Sequence, residues 1–194
     1  MTTDNDVCNQ ALDLLREAPL TDYLTDDTPE SRWFIRNYAT ARDAELEEHP
    51  WKFALKRASI PADATAPTFD WAYRYAVPGD FKALARFTYD GTFEGTPVPH
   101  EIEGAWILTN LSSTIKIVYV YAITDPTLFS ALFVEALAAK LATKMAHWMT
   151  GKASMVQVAG AAYQTAIARA KRANALLSTP ERAYDTDVIS ARYE

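Results

Sequence analysis

Acidic side chains near the end of a predicted helix are the first place where this sequence offers chemistry. Glu45 and Glu48 are three residues apart and share one helix face, and His49 follows directly. Glu101 and Glu103 form a second pair on one face of a predicted strand. Two carboxyl groups about 5–10 Å apart can cleave a glycosidic bond. Acid-rich chains place such pairs on solvated faces by chance, and we expect none of them to be catalytic.

Other reactive side chains stand alone. Glu135 lies in an apolar stretch, where a carboxylate needs a cationic partner such as Lys140 or an arginine. Cys8 lies on an amphipathic segment and is predicted to be a small core residue. The histidines lack metal-ligand spacing: His49, His100 and His147. No phosphate-binding glycine loop and no G-x-S-x-G elbow occurs. We therefore expect no catalytic residue, no metal and no cofactor.

The overall composition is typical of a globular protein. The chain has 194 residues, 49% of them hydrophobic and 23% charged, which indicates one domain. The single cysteine favours a reducing compartment. The opening MTTDNDV lacks a basic and an apolar region, so we expect no secretory signal. Charged residues interrupt the apolar stretch 128–149, which argues against a membrane span.

Charge is distributed unevenly along the chain. The net charge is −6, which argues against general nucleic-acid binding. Acids crowd the first quarter of the sequence, whereas residues 152–180 contain four cations and no acid. Two interpretations of this asymmetry are open, namely two solvated helix faces or complementary surfaces on neighbouring copies of the chain.

Start and stop signals predict four helices at 5–17, 29–48, 126–150 and 154–177. Thr28 followed by Pro29, and Asp125 followed by Pro126, are a cap and then a proline at the first helical position. Pro50 ends the second helix, because the residue before a proline is driven out of the helical region.

A β-rich insert is predicted at about 69–122. Aromatic residues alternate in WAYRYAV, residues 71–77, and β-branched and aromatic residues fill TIKIVYVYA, residues 114–122. Residues 53–60 fit either a strand or a helical turn. The predicted fold class is α+β, a helical bundle with a small antiparallel sheet inserted in the middle.

The last helix carries small residues at alternating spacings of three and four, which predicts close pairing with a neighbouring helix. Together with the charge asymmetry, this pattern suggests a subunit interface. Its candidate residues are Asp43, Glu47, Ala159, Tyr163, Ala166, Arg169, Ala170 and Arg172.

Residues 178–194 differ from the predicted core, 1–177. Pro180 blocks continuation of the helix, and the remainder is polar with isolated apolar side chains. The segment is either a frayed terminus or an arm that becomes ordered on a partner. As an arm, its contact residues would be Tyr184, Val188, Ile189, Arg192 and Tyr193.

Four segments in order resemble the tail tubular protein A family, the head-to-tail adaptors of short-tailed phages. They are CNQALDLLREAPL, TPESRWFIRNYATARDAELEEHPWKFALKRA, FDWAYRYAVPGD and ITDPTLFSALFVEALAAKLA. The resemblance extends from Cys8 to about residue 177. Its most telling parts are HPW-x-FA and W-x-Y-x-Y-x-V-P.

The resemblance implies a structural virion protein at the phage neck, assembled in the host cytoplasm. Such adaptors form a ring, commonly of twelve copies, below the portal protein, bind the next tail protein and continue the channel through which DNA leaves without sequence-specific binding. A helical bundle would pack ring neighbours, the β-rich part would face the tail, and the segment 178–194 would reach the portal. No membrane is involved.

Two other functions remain open at this point. One is a glycan hydrolase of a phage tail that uses a carboxylate pair such as Glu45 and Glu48. The other is a bacterial interaction protein with a similar helix pattern. Under the adaptor hypothesis, EEHPWKFALKRA, residues 47–58, is a joint in which Pro50 ends a helix and Trp51 and Phe53 anchor the connection in the core.

Overall fold

The computed structural model describes residues 1–149 and 153–178. Within them the chain forms four α-helices and six strands. The helices are α1 (Asp4–Leu15), α2 (Pro29–Glu48), α3 (Ala131–Met149) and α4 (Ala153–Leu176). The strands are β1 (Leu55–Ile60), β2 (Tyr73–Ala76), β3 (Phe81–Phe87), β4 (Glu101–Glu103), β5 (Trp106–Thr109) and β6 (Ile115–Tyr121). The predicted α+β class is confirmed.

Helix ends follow local capping chemistry. The Thr28 hydroxyl accepts a hydrogen bond from the Ser31 N–H, with Pro29 as the first helical residue, so α2 begins where the sequence predicts. It ends at Glu48 because His49, which precedes Pro50, is extended. Arg16 takes a left-handed conformation that ends α1 at Leu15, two residues before the prediction.

The start of α3 differs from the prediction. Asp125 caps a 3₁₀ turn at Pro126–Leu128, and the α-helix begins only at Ala131. The Ser130 hydroxyl accepts from the Phe133 N–H and caps this second start. The proline signal therefore marks a helical turn, but a break at Phe129 separates that turn from the long helix.

The predicted single sheet is two sheets of three antiparallel strands, in the orders β1-β6-β3 and β2-β5-β4. For the segment 53–60 the sequence predicts either a strand or a helical turn, and both occur. A 3₁₀ turn at Lys52–Ala54 leads directly into β1. β1 also precedes the predicted insert, so the β part begins earlier than residue 69.

Two hydrophobic cores result. In the first, α3 packs against α1, α2 and α4, and Val120 and Leu55 of the first sheet join this core. In the second, the opposite face of the same sheet, with Ile117 and Tyr119 of β6, packs against the second sheet. Because neighbouring residues of a strand point to opposite faces, β6 contributes to both cores.

Candidate functional site

The joint between α2 and β1 is held by the aromatic side chains that the sequence singles out. Trp51 is 1% exposed, and its indole N–H donates to the backbone carbonyl of Glu45 at 2.8 Å. The rings of Trp51 and Phe53 lie 5.1 and 5.0 Å from the ring of Phe133 on α3. The interpretation of this stretch as a joint anchored in the core is confirmed.

Asn174, near the end of α4, clamps the joint from the other side. Its carbonyl oxygen accepts from the Lys52 N–H at 2.8 Å. Its amide nitrogen donates to the His49 Nε2 at 2.9 Å and to the Pro50 carbonyl at 3.3 Å. Asn174 is only 8% exposed. The turn that ends α2 is therefore fixed by a side chain more than 120 residues away in the chain.

A buried carboxylate links α2, α3 and α4. The side chain of Glu45 is fully buried, and its Oε2 lies 2.7 Å from the Lys140 ammonium and 3.1 Å from the Tyr163 hydroxyl, which donates to it. Burial, followed by the charge of Glu45, raises the pKa of Tyr163, so the hydroxyl stays protonated as a donor. A buried ion pair is favourable only when further hydrogen bonds satisfy its remaining polar atoms. Here the Tyr163 hydroxyl supplies such a hydrogen bond to Glu45.

Glu48 and His49 add to these contacts between α2, α3 and α4, which we call the helix junction. Glu48 lies 2.9 Å from the Lys171 ammonium, and that hydrogen bond is the main reason that its pKa is lowered. Glu48 also lies 3.8 Å from Lys140, so one ammonium serves both glutamates. Burial, together with the charges of Lys171 and Lys52, lowers the pKa of His49 and favours the neutral imidazole that accepts from Asn174.

This geometry argues against a hydrolytic role for Glu45 and Glu48. An ammonium group lies where a substrate would have to bind between them, and Glu45 has no exposed surface. The other candidates are also engaged or exposed. Glu101 accepts from the Trp71 indole at 3.1 Å, and Glu135 is half-exposed and pairs with Arg169 at 3.0 Å. The predicted partner of Glu135 is thus an arginine, whereas Lys140 binds Glu45.

Three predicted interface residues need correction. Ala159, Ala166 and Ala170 are 3%, 5% and 2% exposed, and they belong to the core that α4 forms with α3. The alanine seam does pair helices closely, but the partner is α3 of the same chain. Tyr163 likewise points inward to Glu45. The three alanines are therefore not accessible to a neighbouring copy, and the hydroxyl of Tyr163 is already bound within the chain.

The charged interface candidates are largely neutralised within the chain. Asp43 binds Arg42 and Lys82, both at 2.8 Å, and these contacts outweigh burial and lower its pKa. Glu47 lies 3.8 Å from Lys82. Arg169 pairs with Glu135, as described above. These charged candidates therefore already have partners within the molecule, and Arg172 alone of the eight candidates is both exposed and without an ion pair among the described residues.

The opposite face of α4 is exposed and carries small and apolar side chains. Val158 is 63% exposed and Leu176 is 78% exposed. Between them lie the exposed residues Ala161, Ala168 and Arg172, at helical spacings that place them on this outward face. This face replaces the buried alanine seam as the surface of α4 that another helix could contact.

The β part carries an open cleft of about 900 Å³ between β3 and the segment 93–102. Phe81, Leu84 and Phe87 line it from the strand. Phe93 and Ile102 line the other side and are 56% and 40% exposed. Such an uncovered apolar surface is typical of a contact with another protein.

Some expectations lie outside the described residues. The arm residues Tyr184, Val188, Ile189, Arg192 and Tyr193 all fall beyond residue 178.

Cys8 is fully buried on α1, and burial raises the pKa of its thiol. Within residues 1–149 and 153–178, no helix is long and apolar enough to cross a membrane, and no three metal-binding side chains converge.

No family model matches the chain. No curated protein matches it significantly.

Sequence patterns alone miss two features of this region. One is the role of Asn174, which lies in an alanine-rich helix and has no motif around it. The other is a set of cations on the sheet β1-β6-β3, at Arg57, Arg86 and Lys116. Alternation along KRASI and TIKIV indicates that Arg57 and Lys116 lie on the strand faces opposite Ile60 and Ile117, but their proximity depends on strand order, which no pattern gives.

Proposed function

We propose that this chain is a structural virion protein, the head-to-tail adaptor of a short-tailed phage. In this proposal it assembles as a ring, of twelve copies in the family it resembles, below the portal protein. The ring joins the portal to the next tail protein and continues the DNA channel without sequence-specific contacts. The resemblance over residues 8–177 is the starting point.

The observation that carries the proposal is the open apolar cleft at Phe93 and Ile102, in the part of the chain that an adaptor would present to the tail. Uncovered aromatic and aliphatic side chains are common anchors at protein interfaces. The carboxylates best placed for an enzyme are instead bound to lysines, which supports an interaction role over a hydrolase.

Neighbour contacts in such a ring are heterologous, with one surface meeting a different surface on the next copy. The outward face of α4, with Val158, Ala161, Ala168 and Arg172, is the proposed helical side of that contact. Small side chains there allow another helix to approach closely. The joint and its clamp would hold this face in a fixed orientation relative to the β part.

The test is assembly on the portal. The full chain, alone and mixed with the portal protein of a phage that encodes this chain, would be analysed by size-exclusion chromatography with light scattering at several salt concentrations, and by electron microscopy. We expect a ring on the portal. A chain that never binds the portal at any salt concentration would contradict the proposal, whereas a monomer in isolation would not.

A substitution pair refines this test. Ala161→Arg with Ala168→Arg places two large cations on the outward face of α4 and should prevent ring closure on the portal. Ser112→Arg, in an exposed loop of the β part, should leave the ring intact. Equal assembly of both variants would show that α4 does not contact the next copy.

A further inference from the structure

A basic groove runs over the part of the sheet β1-β6-β3 that the helices leave uncovered. It consists of two adjoining depressions of about 310 and 630 Å³, both lined by Arg57, Arg86 and Val118. Lys116 lines the first depression, and Lys52 lines the second. We use the name basic groove for this surface.

Strand register explains why the cations converge. Val118 on the central strand pairs with Arg57 on one side and with Arg86 on the other. Lys116 lies two residues before Val118 and therefore points to the same face. Three cations are thus held on adjacent rows of one rigid sheet face, an arrangement that like-charge repulsion disfavours unless an anionic group binds there.

The cations of the groove have no anionic partner among the described residues. None of Lys52, Arg57, Arg86 and Lys116 makes an ion pair there. Glu94 lines an adjoining cleft with Arg86 but does not pair with it. The Arg86 Nε–H is buried and has no hydrogen-bond acceptor within residues 1–149 and 153–178, although buried donors in proteins are nearly always satisfied.

The groove is also partly apolar, which narrows the kind of ligand it fits. Leu55 and Val118 form its floor, and the exposed ring of Phe93 lies 5.2 Å from the Arg86 guanidinium carbon. A nucleic-acid backbone would use the cations but not this floor, and it would be repelled by the net charge of −6. An acidic peptide with interspersed apolar side chains satisfies both halves of the surface.

The chain itself supplies such a peptide at the rim of the groove. Ser178, the last described residue, lines the larger depression. Residues 179–194 follow it, and a stretch of this length can span about 50 Å when extended. Four acids and only two arginines occur in it, with apolar side chains between them: Glu181, Tyr184, Asp185, Asp187, Val188, Ile189, Tyr193 and Glu194.

We infer that residues 179–194 bind into the basic groove of their own molecule. The acids pair with Arg57, Arg86 and Lys116, and the apolar side chains cover Leu55 and Val118. This binding in the free chain does not rest on the proposed function, because the chain alone is sufficient for it. If the chain is an adaptor, a portal would have to displace the segment from the groove.

The inference is tested by trypsin cleavage after Arg182 in the full chain, followed by mass spectrometry. The reference is a free synthetic peptide of residues 174–194. Cleavage in the chain tracks the undocked fraction, so we expect it to be about tenfold slower than in the peptide. The protection should weaken as salt rises, since exposed ion pairs are screened. Equal cleavage of chain and peptide at low salt would overturn the inference.

Charge variants locate the contact. Arg57→Glu with Lys116→Glu should bring cleavage close to the peptide rate, and Asp185→Asn with Asp187→Asn should do the same. The matched control, Arg36→Glu with Lys144→Glu, changes two exposed cations on α2 and α3 by the same total charge and should retain protection. Thermal melting monitored by circular dichroism checks that all variants fold. Equal loss of protection in both charge-reversal pairs would overturn the inference.

Two further outcomes would also overturn it. Protection that disappears on dilution would place the segment in the groove of another copy. A short DNA duplex that binds the chain through Arg57 and Lys116, while Arg182 stays unprotected, would assign the groove to nucleic acid. Combining the groove and segment variants adds a positive check, because if the two interact, the combination should cleave no faster than either alone.

Discussion

The helix junction and the basic groove both carry several cations, and they differ in what neutralises them. At the junction, Lys140 and Lys171 are bound to Glu45 and Glu48 across three helices. In the groove, Arg57 and Lys116 make no ion pair with an acid among the described residues. The comparison teaches that charges of the junction hold the chain together, whereas charges of the groove are available to bind a separate segment.

The largest loss in the free energy of unfolding is expected at the buried charge of Glu45. Glu45→Ala removes the carboxylate that neutralises Lys140 and accepts from Tyr163, and it should lower the free energy of unfolding by about 3 kcal/mol. Urea unfolding followed by tryptophan fluorescence measures this. Glu135→Ala, at a half-exposed ion pair, is the control and should cost less than about 1 kcal/mol. Similar losses for the two variants would remove the distinction between buried and surface pairs.

The second largest loss of stability is expected for the clamp at Asn174. Asn174→Ala deletes three hydrogen bonds to the joint and leaves the Lys52 N–H without its acceptor, so we expect a loss of about 1–3 kcal/mol. Gln164→Ala, on the exposed side of α4, should change stability by less than about 0.5 kcal/mol. Both values come from the same urea titration. If Asn174→Ala were as stable as the control, the joint would be fixed by Trp51 and its ring contacts alone.

Acidification should weaken the joint through His49. The pKa of His49 is lower in the folded chain than in the unfolded one, so the unfolded state takes up a proton first as pH falls. This contribution to stability is complete above the unfolded-state pKa of about 6.5 and is lost as pH falls from there through the lower pKa of the folded state. His49→Gln should flatten the decline. Midpoints of urea unfolding at pH 7, 6 and 5 would test this, and parallel declines in both proteins would contradict it.

The smallest effect is expected in the groove. Lys116→Ser removes an unpaired cation from an exposed position and should change the free energy of unfolding by less than about 1 kcal/mol. Lys140→Ser, in contrast, leaves buried Glu45 without its counter-charge and should be several-fold more costly. Melting temperatures of the two variants give the comparison. If Lys116→Ser proved as damaging as Lys140→Ser, the groove would serve folding and not binding.

The sequence predicts local structure well where short-range chemistry decides it. Thr28, Pro29 and Pro50 determine both ends of α2, and alternation identifies the strands. It fails where two signals compete. Asp125 and Pro126 indicate a helix start, but the Ser130 cap begins the long helix later, so the boundary shifts by five residues.

Partners across the fold are harder to predict than boundaries. The need of Glu135 for a cation is visible in the sequence, yet Lys140, only five residues away, binds Glu45, and the distant Arg169 binds Glu135. The alanine seam predicts close helix pairing but cannot distinguish α3 of the same molecule from a helix of another copy. The groove arises from the order β1-β6-β3, which brings together residues about 30 and 60 positions apart.

The clamp at Asn174 has a consequence for biosynthesis. The contacts that fix the end of α2 join residues 122–125 positions apart. On a ribosome, residues 1–173 therefore emerge before the side chain that completes the turn after α2. Contacts of such long range are slow to form, so we expect the nascent chain to keep an open, chaperone-accessible hinge at Pro50 until the final helix has been synthesised.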